Sequence, residues 1–246
     1  RGVYFLGDTI RKDYQITSYD VDAPGWGCNP DRQFATNYQF PHLLGEYVWT
    51  GFDYLGEPTP FNSDNTNLLN FRTDPSKRAE LEKQLAELAR TQPPSRSSYF
   101  GIVDLAGFPK DRYYLYQSHW RPDFPMAHIL PHWNWAGCEG KNIPVHVYTS
   151  GTEAELFVNG KSYGRKVKEE GKDFRLIWDS VVYEPGTVKV IAYKEGKRWA
   201  EDEIQTTGKA QKIQLSVDRR SISGSEDVLA FVTATIIFCG SKVTSA

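Results

Sequence analysis

The chain has 246 residues, enough to bury one full core with one or two smaller units beside it. Its 29 Lys and Arg against 31 Asp and Glu leave a formal charge of −2, which supplies no field able to hold nucleic acid or an anionic membrane surface. Trp, Tyr and Phe make up 14% of the residues, an excess that suits β-rich packing and equally suits sugar sites, where flat rings cover apolar pyranose faces.

The cysteines, Cys28, Cys138 and Cys239, are odd in number and lack any CxxC or Cys/His spacing, so buried free thiols are expected and neither a metal nor another cofactor is. No apolar run reaches the roughly 18 residues of a membrane span, and no basic-then-apolar leader opens the chain. The chain starts with Arg-Gly-Val-Tyr-Phe and ends at Ser-Ala shortly after a strand-like run, which reads as a segment cut from something longer. The missing leader therefore leaves the compartment open.

Asn29-Pro30-Asp31 places a capping residue before a proline suited to the first helical position, predicting a short helix through about Phe40. Gly45-Glu-Tyr-Val-Trp-Thr-Gly-Phe-Asp53 then reads as a buried strand, and this helix-then-strand order fits an α/β unit. Residues 61–73 are too rich in Asn, Asp, Ser and Thr for regular structure and predict a long surface loop. Asp74-Pro75 opens a helix with Leu81, Leu85 and Leu88 on one packing face, ended by Pro93-Pro94. A further aromatic helix is expected over Asp111–Trp120, followed by a stiff Pro122-Asp-Phe-Pro125 linker.

From His128 to Thr207 the texture turns to all β. Short runs at Ile143–Tyr148, Ala154–Val158, Phe174–Trp178, Val188–Tyr193 and Glu203–Thr206 are punctuated by turns at Asn159-Gly160, Gly171 and Glu184-Pro-Gly186, the spacing of a β-sandwich. Lys209–Val217 and Val228–Ile237 begin a third unit whose two or three strands cannot close a sandwich alone.

The strongest candidate for chemistry is Trp49-Thr-Gly-Phe-Asp-Tyr-Leu-Gly-Glu-Pro58, where a strand runs into a Gly-broken loop. In α/β barrels the loops after strands hold the active site. Trp49 could stack on a pyranose there, with Asp53 or Glu57 binding hydroxyls; the plainer alternative is a core Trp with solvated carboxylates. A retaining glycosidase pair needs carboxyl groups about 5 Å apart, whereas extended chain puts Asp53 and Glu57 near ~13 Å, so neither is read as a nucleophile. Glu46 reads as a buried partner for an arginine. His119, His128, His132 and His146 show no metal spacing, and Pro131-His-Trp-Asn-Trp135 reads as an interdomain plug. The absence of GxSxG, phosphate-loop and dinucleotide motifs lowers serine hydrolase, nucleotide and dehydrogenase readings.

Gly45-Glu-Tyr-Val-Trp-Thr-Gly-Phe-Asp-Tyr-Leu-Gly-Glu-Pro-Thr-Pro60 and Ser97-Ser-Tyr-Phe-Gly-Ile-Val-Asp-Leu-Ala-Gly-Phe-Pro-Lys-Asp111 resemble the last barrel strand and closing segment of glycoside hydrolase family 2 β-galactosidases. Leu130-Pro-His-Trp-Asn-Trp135 and Ala154-Glu-Leu-Phe-Val-Asn-Gly-Lys-Ser-Tyr-Gly164 resemble the sandwich that follows the barrel there. The resemblance implies α/β followed by all-β: residues 1–125 as the C-terminal part of a (β/α)8 TIM barrel, 126–208 as an immunoglobulin-like β-sandwich, and 209–246 as the truncated start of a second. It implies a retaining β-galactosidase whose acid/base and nucleophile glutamates both precede Arg1, so that the isolated chain is inactive. Trp49 matches the Trp forming one wall of the galactose pocket; Asp53, Tyr54 and Glu57 match the same motif and are carried as substrate-binding candidates. Some members bind sodium through an Asn before the closing Gly motif, a position held here by Phe100, so no metal is expected. The implied partner is a β-galactoside, with neither nucleic acid nor membrane, and with room for a homo-oligomer of the full-length parent. A periplasmic or extracellular parent is favoured over a cytoplasmic one. The competing reading is a non-catalytic carbohydrate-binding or scaffold module.

Overall fold

The computed structural model describes residues 18–21, 23, 27–55, 83, 97–224, 229–239 and 241–242. The loop expected over 61–73 and the Leu81, Leu85 and Leu88 face lie outside these residues, as does everything before residue 18. Helix α1 (Pro30–Gln39) begins where the sequence places it. The Asn29 side chain accepts a hydrogen bond from the Arg32 amide at 3.1 Å, and Pro30 takes the first position, where its missing N–H is no loss. Helix α2 (Asp111–Trp120) starts on Asp111, an acidic residue at the positive end of the helix dipole.

Seven strands follow: β1 (Ala127–Leu130), β2 (Val145–Thr149), β3 (Glu153–Val158), β4 (Lys161–Val167), β5 (Leu176–Trp178), β6 (Thr187–Lys194) and β7 (Lys197–Gln205). They form two antiparallel sheets, ordered β1-β2-β5 and β4-β3-β6-β7. Two hairpins turn on paired residues with positive φ, Asn159-Gly160 and Glu195-Gly196. The first is announced by its sequence; the second is hidden because glutamate rarely adopts that conformation. Gly186 is required for another reason, since a Cβ there would lie 1.8 Å from Asn159 Oδ1.

Alternation along β3 and β6 turns Ala154, Leu156, Val158, Val188, Val190 and Ala192 inward against Val145, Val147, Leu176 and Trp178 of the facing sheet. Trp133 is fully buried in this core, with its indole N–H donating to the Glu184 carbonyl at 2.9 Å. It is a core ring of the sandwich, which corrects its reading as an interdomain plug. Asn134 instead ties the sandwich to its exit, accepting from the Thr207 amide at 2.8 Å.

Strand β2 has no exposed residue because both its faces are covered. Its outer side, with Tyr148, packs with Leu130 against Tyr19, Phe34, Ile102, Leu115 and Tyr116 of the preceding segment. The sandwich therefore carries a third, helical layer. Arg175, just before β5, crosses that boundary: its guanidinium binds both Asp31 carboxylate oxygens and the Tyr19 carbonyl, and lies over the Tyr148 ring at 5.2 Å. Tyr19 answers with a hydroxyl bond to the Pro144 carbonyl at 2.6 Å, and Arg112 on α2 pairs with buried Asp20.

The last unit is an open sheet ordered β10-β9-β8, made of β8 (Ala210–Val217), β9 (Val232–Phe238) and β10 (Ser241–Lys242). Its register places Ile213, Leu215 and Val217 opposite Ile236, Ala234 and Val232, giving one continuous apolar face that stays exposed.

Three further expectations need correction. Gly45–Asp53 is not a buried strand: only Phe52 and Leu55 form isolated bridges, and Tyr47, Trp49 and Phe52 are exposed. An apolar run with β propensity forms a ladder only where neighbouring strands supply partners, and among the described residues, residues 50–53 find them on one side alone, in residues 100–103. A TIM barrel is accordingly not evident among the described residues, which are mostly β-sandwich. The three thiols are free, but Cys28 and Cys239 are exposed rather than buried. No described helix is long and apolar enough to cross a membrane.

Candidate functional site

Residues 49–55 and 97–110 are stitched together mainly by their backbones. The Thr50 amide donates to the Phe100 carbonyl at 3.1 Å, the Ile102 amide to the Thr50 carbonyl at 3.0 Å, and the Asp53 amide to the Val103 carbonyl at 2.9 Å. The approach is so close that a Cβ on Gly101 would lie 2.1 Å from the Asp53 nitrogen. Only glycine fits, which explains the Phe-Gly-Ile-Val order of that motif.

Asp53 is the knot of this junction. One carboxylate oxygen accepts from the Gly101 amide at 2.8 Å and the other pairs with Lys110 Nζ at 2.6 Å, and the side chain is buried. Both oxygens are thus held by the protein, and the observed role of Asp53 is to fasten the two segments. Tyr54 is anchored through its backbone, its carbonyl accepting from the Ser98 amide at 2.7 Å and its amide donating to Ser98 Oγ at 3.1 Å. Its ring sits 6.5 Å from that of Phe100. Glu57 lies outside the described residues.

Trp49 differs from these. Its side chain is 65% exposed at the start of the stitched segment, and its peptide bond to Thr50 is cis. Glu46, expected to pair with an arginine, accepts instead from the Trp120 indole at 3.3 Å, and partial burial raises its carboxyl above the ordinary range. The site thus offers a bare indole on a frame fixed by Asp53, Gly101 and Lys110. The last two are contributors that the sequence reading did not single out; the long Gly-Ile-Val-Asp-Leu-Ala-Gly-Phe-Pro-Lys run was their signal.

Among the described residues no group of three or more His, Cys, Asp or Glu side chains could hold a metal ion. The histidines serve packing. His128 pairs with Asp111 at 2.7 Å while stacking on Tyr114, and His132 stacks on Trp135. Burial holds His146 neutral, with its pKa lowered to about 3.

Residues 140–200 match a family model described as a domain of unknown function, DUF4982, which falls on the sandwich. Beta-galactosidase BoGH2A of Bacteroides ovatus is 41% identical over 225 residues, covering 91% of this chain and 22% of that protein. A putative beta-glucuronidase of Formosa agariphila is 33% identical over 187 residues, covering 75% of this chain and 15% of that one. Among solved structures, a beta-glycosidase from Bacteroides vulgatus superposes with a TM-score of 0.67 at 33% identity, covering 91% of this chain and 24% of that chain. The homologues and structural neighbours of this chain are glycoside hydrolases of family 2, of the β-galactosidase and β-glucuronidase kinds. The chain spans about a fifth to a quarter of the B. ovatus and B. vulgatus proteins' lengths.

Proposed function

We propose that this chain is a segment of a family 2 glycosidase whose whole protein hydrolyses terminal β-D-galactosides with retention. In this reading residues 1–125 complete a TIM barrel, 126–208 form an immunoglobulin-like sandwich, and 209–246 begin another sandwich. The segment supplies Trp49 as one wall of the sugar pocket. The nucleophile and acid/base glutamates lie elsewhere in the protein, and the Asp53 carboxylate, spent on Gly101 and Lys110, acts as the frame beneath the wall rather than as a direct sugar ligand. Tyr54 and Glu57 remain candidates for the hydroxyl-facing side.

The observation that carries the reading is the bare apolar ridge around Trp49. Leu44 and Tyr47 are fully exposed, and Trp49, Phe52 and Leu55 are 65%, 64% and 69% exposed. Exposed large apolar side chains this dense along the chain suit a surface that other chain or ligand covers, and strand partners beside residues 49–55 would cover them in a barrel. The β-galactosidase name of the 41% identical relative favours galactose; the glucuronidase relatives make the sugar acid the competing substrate. The purified chain mixed with a chromogenic β-galactoside should show no turnover above background. Robust turnover would require a catalytic carboxylate pair within the chain and would sink the proposal.

A further inference from the structure

Residues 46–50 belong to no strand, yet they keep the alternation of an extended chain. Glu46, Val48 and Thr50 are half-buried, whereas Tyr47 and Trp49 between them are exposed. Side chains in such a stretch turn to opposite sides in succession. Glu46 and Val48 thus turn towards the protein on the side away from Trp49. With 65% of its surface bare, the Trp49 ring has little packing of its own to hold its direction.

Its direction is held instead by an anchor on each side. Downstream, the Thr50 amide donates to the Phe100 carbonyl and the Thr50 carbonyl accepts from the Ile102 amide. Upstream, Val48 packs against the cluster that contains Phe34, Leu115 and Tyr116. One turn of chain earlier, Glu46 Oε1 accepts from the indole N–H of Trp120 at 3.3 Å. Trp120 is the last residue of α2, and its ring lies 4.6 Å from that of Tyr116, which is buried and meets Phe34 edge-on at 5.4 Å. The donor that fixes Glu46 is therefore itself carried on the core. Glu46 is also near enough to Tyr116 that its charge, after burial, pushes the phenol up.

We propose that Glu46 and Trp120 are a positioning pair that fixes the direction of Trp49, acting through the backbone of residues 46–49 and from the side the ligand does not touch. Its purpose, presenting the indole to a sugar, rests on the reading proposed above; the holding itself does not. A ring fixed before the ligand arrives lowers the ordering cost of binding. Because the donor is a neutral indole N–H, the pair needs the accepting oxygen of Glu46 and not its charge. Glutamine can therefore stand in for Glu46, whereas alanine cannot, and phenylalanine at position 120 keeps the ring on Tyr116 while removing the donor.

The test begins with ¹⁵N relaxation of the full 246-residue chain. In Glu46→Ala and Trp120→Phe the order parameters of the residue 46–49 amides should fall from about 0.85 to about 0.6, with the shifts of residues 127–205 unchanged, and Glu46→Gln should restore them. Turnover is then read with this chain exchanged for the matching segment of the B. ovatus β-galactosidase. There Glu46→Ala should lower kcat/KM by about tenfold, Glu46→Gln should recover it, and Glu46→Ala added to Trp49→Ala should cost nothing further, since the pair acts through Trp49. Unchanged order over residues 46–49 in both Glu46→Ala and Trp120→Phe overturns the inference. So does a Glu46→Gln chain as loose as Glu46→Ala, or an equal Glu46→Ala loss with and without the Trp49 indole. A Trp49→Ala enzyme with unchanged turnover would sink the pocket reading instead, and the order parameters would still decide the pair.

Discussion

Replacing Arg175 by alanine should loosen the joint between the sandwich and the helical layer. The guanidinium is buried and engages Asp31 through two nitrogens, one of these bonds being 2.8 Å, and it also binds the Tyr19 carbonyl and, at 3.3 Å, the Tyr148 hydroxyl. Removing one partner of a buried pair costs about 3–5 kcal/mol because the other charge is left unmatched. The Asp31 side chain is 27% exposed, so water recovers part of that loss. An expected destabilisation of about 2–4 kcal/mol corresponds to a fall in melting temperature of roughly 5–15 °C for a chain of this size. Because the joint links two layers, amide exchange should accelerate first in residues 18–31 and in α1, ahead of β3 and β6. Arg175→Lys should recover little, since an ammonium cannot reproduce the forked contact. A double-mutant cycle with Asp31→Asn should return a coupling of about 1 kcal/mol or more. An Arg175→Ala protein that melts with the wild type and exchanges no faster over residues 18–31 would refute the reasoning.

Three other outcomes follow from the packing. Phe34 has no exposed surface and packs on His119, Tyr116 and Phe174, so Phe34→Ala should cost about 3–5 kcal/mol in a denaturant melt. Asp53→Asn breaks the Lys110 pair and should cost about 1–3 kcal/mol, since Lys110 is a third exposed; an unchanged melt would refute the fastening role of Asp53. His146 has its folded pKa lowered to about 3, below an unfolded value of about 6.5. The unfolded chain therefore binds the extra proton first, and stability is full above about pH 6.5 and lost as pH falls toward 3, by at most about 1.4 kcal/mol per pH unit. An imidazole ¹⁵N spectrum showing His146 protonated in the folded protein at pH 5 would contradict this.

What the sequence disclosed was local. Asn29-Pro30 specified a cap, Asn159-Gly160 a turn, and the alternation in β3 and β6 an inner and an outer face, because each depends on neighbours along the chain. What it hid was long-range. Arg175 and Asp31 are 144 positions apart, and nothing in either segment names the other. The same limit explains Gly45–Asp53, where composition predicts a buried strand but burial requires partner strands. At the candidate site Trp49 was legible as an indole on a Gly-broken loop. The roles of Gly101 and Lys110 in holding Asp53 became visible only once residues 49–55 and 97–110 were seen side by side.

The central claim, that Trp49 forms a wall of a galactoside pocket, is tested most directly in a working enzyme. This chain can be exchanged for the matching segment of the B. ovatus β-galactosidase, to which it is 41% identical, with and without Trp49→Ala. The folded chimera should hydrolyse a chromogenic β-galactoside, and Trp49→Ala should lower its kcat/KM by about tenfold to a hundredfold, the loss expected for an aromatic face buried against the sugar. A folded chimera whose kcat/KM is unchanged by Trp49→Ala would contradict the account.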